Sequence, residues 1–172
     1  MKIKAELMTY ENFADFGTML SYPETAPDIS VDDLDYWKRP MPLDGLCGDG
    51  ELSFMRVKSR PVETAMLDML PESAELYLSL DGTASLYFVA PPLAGDDSGP
   101  DISRARAFLF SGRGGVLVTP GIWHWTPFPL AHDADFFLGL RNNVLIQKDG
   151  GIEQGEGQVI YKELNEKLEV VL

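Results

Sequence analysis

Apolar positions in the larger, C-terminal part of the chain recur with a period of two or in short runs, which is the pattern of half-buried strands. The segments that show it are 52–58, 74–80, 84–90, 107–110, 115–119, 136–140, 144–147 and 158–161. Between the second and third of them, Asp81-Gly82 is typical of a hairpin turn, because glycine tolerates a positive φ. Many short strands separated by glycine and proline predict an all-β fold, and we expect a double-sheet jelly roll.

The N-terminal part shows helical spacing instead. Residues 9–17 predict a short helix, with Thr9 as its N-cap and Gly17 as its stop. A second helix is predicted over 30–37, where acidic residues fall in the first turn as the helix dipole favours. No repeat or long linker divides the chain, so we expect one domain over residues 1–172, with one or two short N-terminal helices.

The charge balance limits the partners. A net charge of -13 argues against nucleic acid and anionic membrane surfaces, since both bind through clustered lysine and arginine. No run approaches the roughly 18 apolar residues of a membrane helix. The lone Cys47 has no cysteine or histidine at metal-ligand spacing, so we expect a reducing cytoplasm. A small anionic substrate stays open, and it would need a local group of basic side chains.

Two side chains are candidates for acid–base chemistry. His124 follows a predicted strand and turn, and imidazole titrates near neutrality, where proton transfer contributes roughly 10²–10⁴-fold to a rate. Glu75 shares a strand face with Tyr77, and on an interior face its carboxylate would be a second acid–base group or the partner of a buried cation. The alternatives are a histidine packed among aromatic rings and a surface glutamate. Trp123, beside His124, is a candidate apolar wall of the site.

Basic residues that could receive a carboxylate occur on a predicted strand. Arg56 and Lys58 alternate with Met55 and Val57, so both point to one face, and arginine can hold a carboxylate through two hydrogen bonds. Arg141, at the end of another strand, is a further candidate. The alternative for all of them is a solvated position that pairs with surface acids.

Two half-motifs resemble those of the cupins. The first cupin motif ends in a glutamate, six residues and a glycine, and the second has a glycine, five residues, a proline, one residue, a glycine, two residues and a histidine. The matching residues here are Glu75 and Gly82 for the first, and Gly114, Pro120, Gly121 and His124 for the second. The His-x-His pair that opens the first motif is absent, and Pro120 and Gly121 are adjacent.

A closer resemblance is to the ureidoglycolate lyase branch of the cupins. It covers about residues 8–142 and is densest over 95–141. The residues that carry it are Gly95 to Phe108, an acidic loop running through Pro100-Asp101-Ile102 into Arg106-Ala107-Phe108; Gly114-Gly115-Val116; Ile122-Trp123-His124; Asp135-Phe136; and Arg141. Phe13, Gly17 and Met55-Arg56-Val57 fit the family's N-terminal helix and an early strand.

This chain also departs from the family at polar positions. The family's Glu-Arg-His-Pro is here Asp68-Met69-Leu70-Pro71, and its glutamine four residues after that proline is Glu75. Its other histidines fall at Thr119 and Trp125. Two alternatives therefore stay open beside a lyase: a non-catalytic cupin that binds a small anionic or sugar-like ligand, and a cupin enzyme with a different small-molecule substrate, such as an isomerase.

The resemblance implies a cytoplasmic homodimer that cleaves ureidoglycolate, or a similar α-hydroxy ureido acid, to glyoxylate and urea. In this hypothesis His124 and Glu75 share the acid–base roles, while Arg56, Lys58, Tyr77, Trp123 and Arg141 bind the substrate. The usual cupin metal site takes three histidines and a glutamate, and the chain has two histidines, so we expect no tightly bound metal. The elimination needs no other cofactor.

Overall fold

The computed structural model describes residues 1–21, 25–38, 43, 46, 50–95, 99–141, 145–148, 151–154 and 159–171, with side chains for all of these except 145–148 and 151–154. The first strands in chain order are β1 (Lys2–Leu7), β2 (Gly17–Ser21), β3 (Ile29–Val31), β4 (Leu34–Tyr36), β5 (Gly50–Val57), β6 (Glu63–Met69), β7 (Glu75–Ser79) and β8 (Ser85–Ala90). Those that follow are β9 (Arg106–Phe110), β10 (Gly114–Val118), β11 (Trp123–His124), β12 (Phe128–Pro129), β13 (Ala134–Arg141), β14 (Leu145–Lys148), β15 (Gly151–Gln154) and β16 (Ile160–Val171). The helix α1 is Tyr10–Phe13, and a 3-10 turn spans Ile102–Arg104.

The larger sheet closes on itself. Its strand order is β11-β6-β16-β1-β9-β8-β12, and β11 pairs with β8 as well as with β6. The apolar cluster that we call the large-sheet core takes a buried residue from every strand of this ring: Ile3, Leu67, Phe88, Ala107, Trp123 and Leu168. One face of the large sheet therefore surrounds its own core, and the other face is left to pack elsewhere.

The smaller sheet covers part of that other face. Its order is β2-β10-β7-β13-β5. Side chains of both sheets meet in the inter-sheet core, which includes Tyr87, Val89, Phe108 and Phe110 from the large sheet and Tyr77, Val116, Phe136 and Leu138 from the small one. This confirms the predicted all-β, cupin-type double-sheet jelly roll.

Strand β8 shows how the two cores share one sheet. All six of its residues are buried. Leu86 and Phe88 point into the large-sheet core, while Tyr87 and Val89 point into the inter-sheet core. Because successive side chains of a strand alternate between faces, a strand between two cores becomes a continuous apolar run. The continuous apolar run of β8 in the sequence therefore identifies a strand that lies between the two cores.

Helix α1 begins as predicted and ends earlier. Thr9 caps it, accepting a hydrogen bond from the Asn12 backbone while the Asn12 side chain accepts one from Thr9. The helix ends at Phe13, and Gly17 is the first residue of β2. A Cβ on Gly17 would lie 2.0 Å from the Leu117 carbonyl oxygen, so this glycine allows β2 to approach β10 and is not the helix stop.

The predicted second helix over 30–37 is wrong, because β3 and β4 form an antiparallel hairpin there. The β-branched residues Ile29 and Val31 favour a strand, and the pair Asp32-Asp33 forms the turn. The Ser30 hydroxyl donates across the hairpin to Asp35 at 2.6 Å. Asp32 and Asp33, which were predicted to lie in the first turn of a helix, thus form the turn of the β3–β4 hairpin.

The Asp81-Gly82 hairpin is also wrong. Gly82 has the expected positive φ of 76°, but β7 lies in the small sheet and β8 in the large one, so the turn crosses between sheets. Asp81 stabilises the crossing by accepting hydrogen bonds from the Thr83 and Asp135 backbone nitrogens at 2.9 and 3.0 Å. The Asp-Gly pair correctly predicted a turn at this position. Which strand pairs with which is decided by the packing of the sheets, and this was not available from the pair.

The predicted strand segments all overlap observed strands, with ends shifted by a few residues except at β16, which continues to Val171 beyond the predicted end at 161. The strands that the pattern did not predict are β1, β2, β3, β4, β6, β11, β12 and β15. Cys47 lies outside the described residues. No helix in the described part of the chain is long and apolar enough to cross a membrane.

Candidate functional site

His124 lies on the face of the large sheet that meets the small sheet. It is the second residue of β11, where its backbone pairs with Asp68 on β6 and Val89 on β8. The turn before it is formed by Gly121, which has a φ of 82° and donates its backbone N–H to the Leu70 carbonyl at 2.9 Å. His124 is only 2% exposed. The imidazole is therefore held inside the protein by strand pairing on both sides.

The hydrogen bonds of His124 define which nitrogen can react. Nδ1 lies 2.9 Å from the carbonyl oxygen of Ile122, which can only accept, so Nδ1 carries a proton and donates it there. Nε2 lies 2.5 Å from Oε2 of Glu75. A short contact of this kind between an imidazole and a carboxyl group needs a proton between the two atoms. Proton exchange by His124 therefore proceeds through Nε2.

Glu75 reaches His124 from the small sheet. It is the first residue of β7, and it shares the interior face with Tyr77, while Leu76 points to the opposite face and packs against Leu117. The Glu75 side chain is 12% exposed. The sequence left open whether Glu75 is a surface residue or lies on an interior face, and in the structure it lies on the interior face. A carboxylate and an imidazole from different sheets thus meet at the edge of the inter-sheet core.

The environment of His124 favours its charged form. Burial by itself lowers the pKa of the imidazole, but the hydrogen bond and negative charge of Glu75, with a further contribution from Asp68, outweigh it and raise the pKa to about 9. Near neutral pH the imidazole of His124 is therefore the charged imidazolium. The interior position keeps this charge pair away from bulk water.

Asp68 is a third acidic group at the site, and the sequence analysis did not identify it as functional. Its Oδ1 lies 3.9 Å from Nε2 of His124, and this oxygen is buried without a hydrogen-bond partner among the described residues. Burial raises the pKa of Asp68 to about 7, the charge of His124 opposing and that of Glu75 adding to the rise. The sequence feature that could have identified Asp68 is its position as a single acidic residue between the apolar residues Leu67 and Met69.

Three tyrosines surround these groups. Tyr77 is buried, and its side chain hydrogen-bonds to Glu75; burial, with the charges of Glu75 and Asp68, raises its pKa. Tyr87 packs edge-on against Tyr77 with ring centroids 5.8 Å apart, and its hydroxyl is buried without a partner among the described residues. Tyr161 pairs with Asp68 across β16 and β6, and burial with the nearby acids raises its pKa to about 12. Tyr77 is thus beside the pair, as predicted.

Arg56 and Lys58 do not lie beside the pair. Met55 and Val57 point into the inter-sheet core, so Arg56 and Lys58 point to the outer face of the small sheet. Arg56 binds Asp135 through two hydrogen bonds of 2.7 and 2.8 Å. The prediction that this strand face receives a substrate is corrected: Met55 and Val57 occupy the interior, whereas the cations lie exposed on the outer face that also carries Leu52 and Phe54.

Arg141 and Trp123 are also turned away from the pair. Arg141 is exposed, and its guanidinium contacts Glu72 at 3.1 Å on the outer face of the small sheet. Trp123 is 2% exposed and belongs to the large-sheet core, because it precedes His124 on β11 and alternation sends the two side chains to opposite faces. Neither residue takes the substrate-binding position that the sequence suggested for it.

Arg60 is a half-buried cation that the sequence analysis missed. Its Nη2 donates to the Thr126 carbonyl at 2.8 Å, and its guanidinium carbon lies 4.0 Å from the centre of the Phe128 ring. Burial lowers its pKa, and the Tyr77 hydroxyl group opposes this electrostatically. No carboxylate of the described residues forms an ion pair with it.

A metal ion has few donors here. Among the described residues, no group of three histidine, cysteine, aspartate or glutamate side chains is arranged to hold one. Both nitrogens of His124 are already engaged, Nδ1 by Ile122 and Nε2 by Glu75. The second histidine, His132, lies in an exposed turn, where Nδ1 contacts the Asp133 carbonyl at 2.7 Å. The described residues therefore offer no set of three protein ligands for a metal ion at this site.

Comparisons with known proteins bear on this site. A family model described as ureidoglycolate lyase matches residues 1–150. Ureidoglycolate lyases of Azotobacter vinelandii and Pseudomonas syringae pv. tomato are 34% and 32% identical to this chain over 83 and 89 residues. These matches cover 48% and 51% of this chain and 48% and 50% of the relatives, so the chain spans about half the length of the curated relatives it matches.

A solved structure with a similar fold is that of RmlC from Streptococcus suis in complex with dTDP-D-xylose. The similarity covers 59% of this chain and 48% of that chain, with a TM-score of 0.43 and 14% sequence identity.

Proposed function

Because this chain belongs to the ureidoglycolate lyase family, we propose that it cleaves ureidoglycolate, or a similar α-hydroxy ureido acid, to glyoxylate and urea. The observation that carries the proposal is the buried contact of 2.5 Å between Nε2 of His124 and Oε2 of Glu75. A carbon–nitrogen elimination needs one group that takes a proton and another that gives one. The pair supplies both from adjacent atoms.

The reaction moves one proton from oxygen to nitrogen. Glu75, as the carboxylate, takes the proton of the substrate hydroxyl, and the electrons of that O–H bond form the carbonyl of glyoxylate. The carbon–nitrogen bond breaks, and the departing nitrogen receives the Nε2 proton of His124. The products are glyoxylate and neutral urea, so atoms and charge balance without an oxidant or a reductant.

The contact between the two groups also restores them. After the elimination, Glu75 holds a proton and His124 is neutral at Nε2. A transfer across the 2.5 Å contact returns the proton to Nε2, and no exchange with solvent is required. The Ile122 carbonyl keeps Nδ1 protonated throughout, which holds Nε2 as the exchanging atom.

The carboxylate of the substrate needs a cation. Arg56, Lys58 and Arg141 point outward, whereas Arg60 is half-buried and has no ion-pair partner among the described residues. We assign the carboxylate to Arg60, whose guanidinium retains free N–H donors beyond those that contact Thr126 and Lys58.

We further propose that the reaction is independent of metal, since no three potential metal ligands are grouped together among the described residues. One domain over residues 1–172, a cytoplasmic location, a homodimer, and a small anionic substrate in preference to nucleic acid or membrane stay predictions. Light scattering on the purified protein measures the oligomeric state, and a monomeric mass would contradict the homodimer.

The test is release of glyoxylate and urea from racemic ureidoglycolate by the purified protein, with and without a chelator. Turnover that persists with chelator and falls by about 10²–10⁴-fold in His124→Gln and in Glu75→Gln supports the proposed mechanism. Glu72→Gln, at a carboxylate that is 80% exposed, is the matched control and keeps full activity. A folded wild-type protein that binds ureidoglycolate without turnover would instead favour a non-catalytic binding protein.

A further inference from the structure

Two buried polar side-chain atoms lack a hydrogen-bond partner among the described residues, and both belong to this site. They are Oδ1 of Asp68 and the hydroxyl of Tyr87. Buried polar groups in folded proteins are nearly always hydrogen-bonded to protein or to an ordered small molecule. Both side chains point to the face of the large sheet that carries His124, because their neighbours Leu67 and Phe88 point into the large-sheet core. Because neither atom has a hydrogen-bond partner among the described residues, the two together point to a polar ligand at that face.

The charges of the site decide which end of a ligand meets Asp68. Glu75 and Asp68 lie on the same side of His124, with Asp68 Oδ1 only 3.9 Å from Nε2. A ligand carboxylate placed there would face two acidic groups, and like charges at short range repel. A neutral group with N–H donors fits instead. The cation that can receive a carboxylate, Arg60, lies apart from Asp68 near Thr126 and Phe128.

We propose that Asp68 determines specificity by accepting a hydrogen bond from the terminal NH₂ of the ureido group, while the Tyr87 hydroxyl donates to the ureido carbonyl. This arrangement directs the substrate carboxylate to Arg60 and brings the hydroxyl-bearing carbon to the His124–Glu75 pair. It rests on the proposed function for the identity of the substrate. Asp68 is a binding residue in this assignment and exchanges no proton with the substrate.

A small ligand can reach these groups from solvent. The Asp68 side chain is 15% exposed although its Oδ1 is buried, and the Glu75 side chain is 12% exposed. Tyr161, beside Asp68 on β16, is 38% exposed. These partly exposed side chains mark the Asp68–Tyr161 side of the pair as the route by which a ligand would enter in this proposal.

Two inert ligands separate the terminal NH₂ from the rest of the substrate. N-carbamoylglycine is the substrate without its hydroxyl, so it cannot undergo the elimination, and N-acetylglycine replaces only its terminal NH₂ with a methyl group. Isothermal titration calorimetry on the full chain measures both affinities. We expect the wild-type protein to bind N-carbamoylglycine at least about 10-fold more tightly, the value of one hydrogen bond to a buried acceptor.

The variants distinguish the two contacts. In Asp68→Ala the preference for N-carbamoylglycine disappears, whereas Asp68→Asn keeps part of it through the amide oxygen. Tyr87→Phe weakens both ligands by the same factor, because both carry the carbonyl. Glu72→Ala, which removes an exposed carboxylate, leaves both affinities unchanged. Circular dichroism confirms that each variant is folded, and Asp68→Asn, which keeps the side-chain shape, replaces Asp68→Ala if that variant is not.

Equal affinity of the wild-type protein for the two ligands would overturn the assignment, and so would a full preference in Asp68→Ala. Turnover of ureidoglycolate is measured separately. Turnover without a preference means that the lyase proposal stands and the role of Asp68 is wrong. A preference without turnover supports the recognition of the ureido group and removes the lyase reaction.

Discussion

Nε2 of His124 lies 2.5 Å from Oε2 of Glu75, although β11 belongs to the large sheet and β7 to the small one. The contact therefore depends on how the two sheets pack, and no local segment of the chain contains it. Each residue is placed by its own strand: pairing with Asp68 and Val89 fixes His124, and pairing with Val118 fixes Glu75.

The first prediction concerns the protonation of His124. Glu75 raises the pKa of the imidazole to about 9 against a burial effect that lowers it. Removing the charge in Glu75→Gln should return the pKa toward its ordinary value of 6.5 or below, since burial remains. The alkaline limb of kcat/KM, near pH 9 in the wild-type protein, should then move to lower pH in any residual activity.

Nuclear magnetic resonance can follow this titration directly, because the chain has two histidines. In His132→Gln only the His124 ring signals remain, and His132 lies in an exposed turn away from the pair. A His124 signal that titrates near its ordinary pKa in the His132→Gln background, with Glu75 intact, would contradict the charge pair.

The second prediction concerns stability and Asp68. Its pKa is about 7 in the folded protein against an ordinary 3.8, so the folded state holds this proton more tightly than the unfolded state. The resulting stability is complete below the lower value and is lost as the pH rises through 7. The pKa of His124 is also raised, so its contribution is complete below 6.5 and is lost as the pH rises through about 9.

Asp68→Asn should therefore gain stability relative to the wild-type protein as the pH increases. The measurement is the free energy of unfolding from urea titrations at about pH 5 and about pH 8, with stability differences of the order of 1 kcal/mol or more being resolvable. Glu72→Gln, at an exposed carboxylate, is the control and should show the wild-type pH dependence. A constant difference between Asp68→Asn and wild type at both pH values would show that Asp68 titrates normally.

The apolar pattern of the sequence was enough to predict an all-β, two-sheet fold, and the sequence also identified two of the four acidic or basic residues assigned to the site, Glu75 and His124. Alternation along β7 placed Glu75 on the face of Tyr77, and the Pro120-Gly121 turn placed His124 directly after a strand, although β11 itself was not predicted. Alternation did not decide which face is interior at β7 or at β5. Along β5 both faces carry apolar residues, Leu52 and Phe54 beside Arg56 on one and Met55 and Val57 on the other, and only the packing of the two sheets puts the second pair inside.

Asp68 and Arg60 could not be found in this way. Strand β6 was not predicted, because its central residues are mostly apolar on both faces, and one of those faces lies in the large-sheet core. Asp68 becomes distinctive only through its neighbours on β11 and β7. Arg60 follows β5 in a connection, where no periodicity indicates a direction, and its burial depends on Thr126 and Phe128 far along the chain.

The third prediction separates the two arginines. Arg60→Gln should raise KM for ureidoglycolate by about 10-fold or more while changing kcat less, since a charge-assisted hydrogen bond to the substrate contributes about 1.5–3 kcal/mol. Arg56→Gln removes an exposed side chain that binds Asp135 on the outer face, and it should leave KM and kcat unchanged. A raised KM in Arg56→Gln alone would restore the original assignment and exclude Arg60 as the carboxylate site.

The fourth prediction tests the connections that hold the two sheets together. The β9–β10 turn, like the β7–β8 turn, crosses between sheets, and Gly112 in the first packs against Gly82 in the second. Gly112 and Gly121 both have a φ of 82°, but a Cβ on Gly112 would lie 2.4 Å from the Gly82 carbonyl oxygen, while one on Gly121 has no atom within 4 Å.

Gly112→Ala and Gly121→Ala therefore form a matched pair. Both place alanine in the left-handed region, at a cost of about 1–2 kcal/mol. The overlap with the facing turn should cost Gly112→Ala about 1–3 kcal/mol more, because backbone atoms cannot move aside as a flexible side chain can. Urea unfolding of both variants measures the difference. Equal destabilisation would mean that the two crossings are not packed together, and the sheet contact that joins His124 to Glu75 would need another source of support.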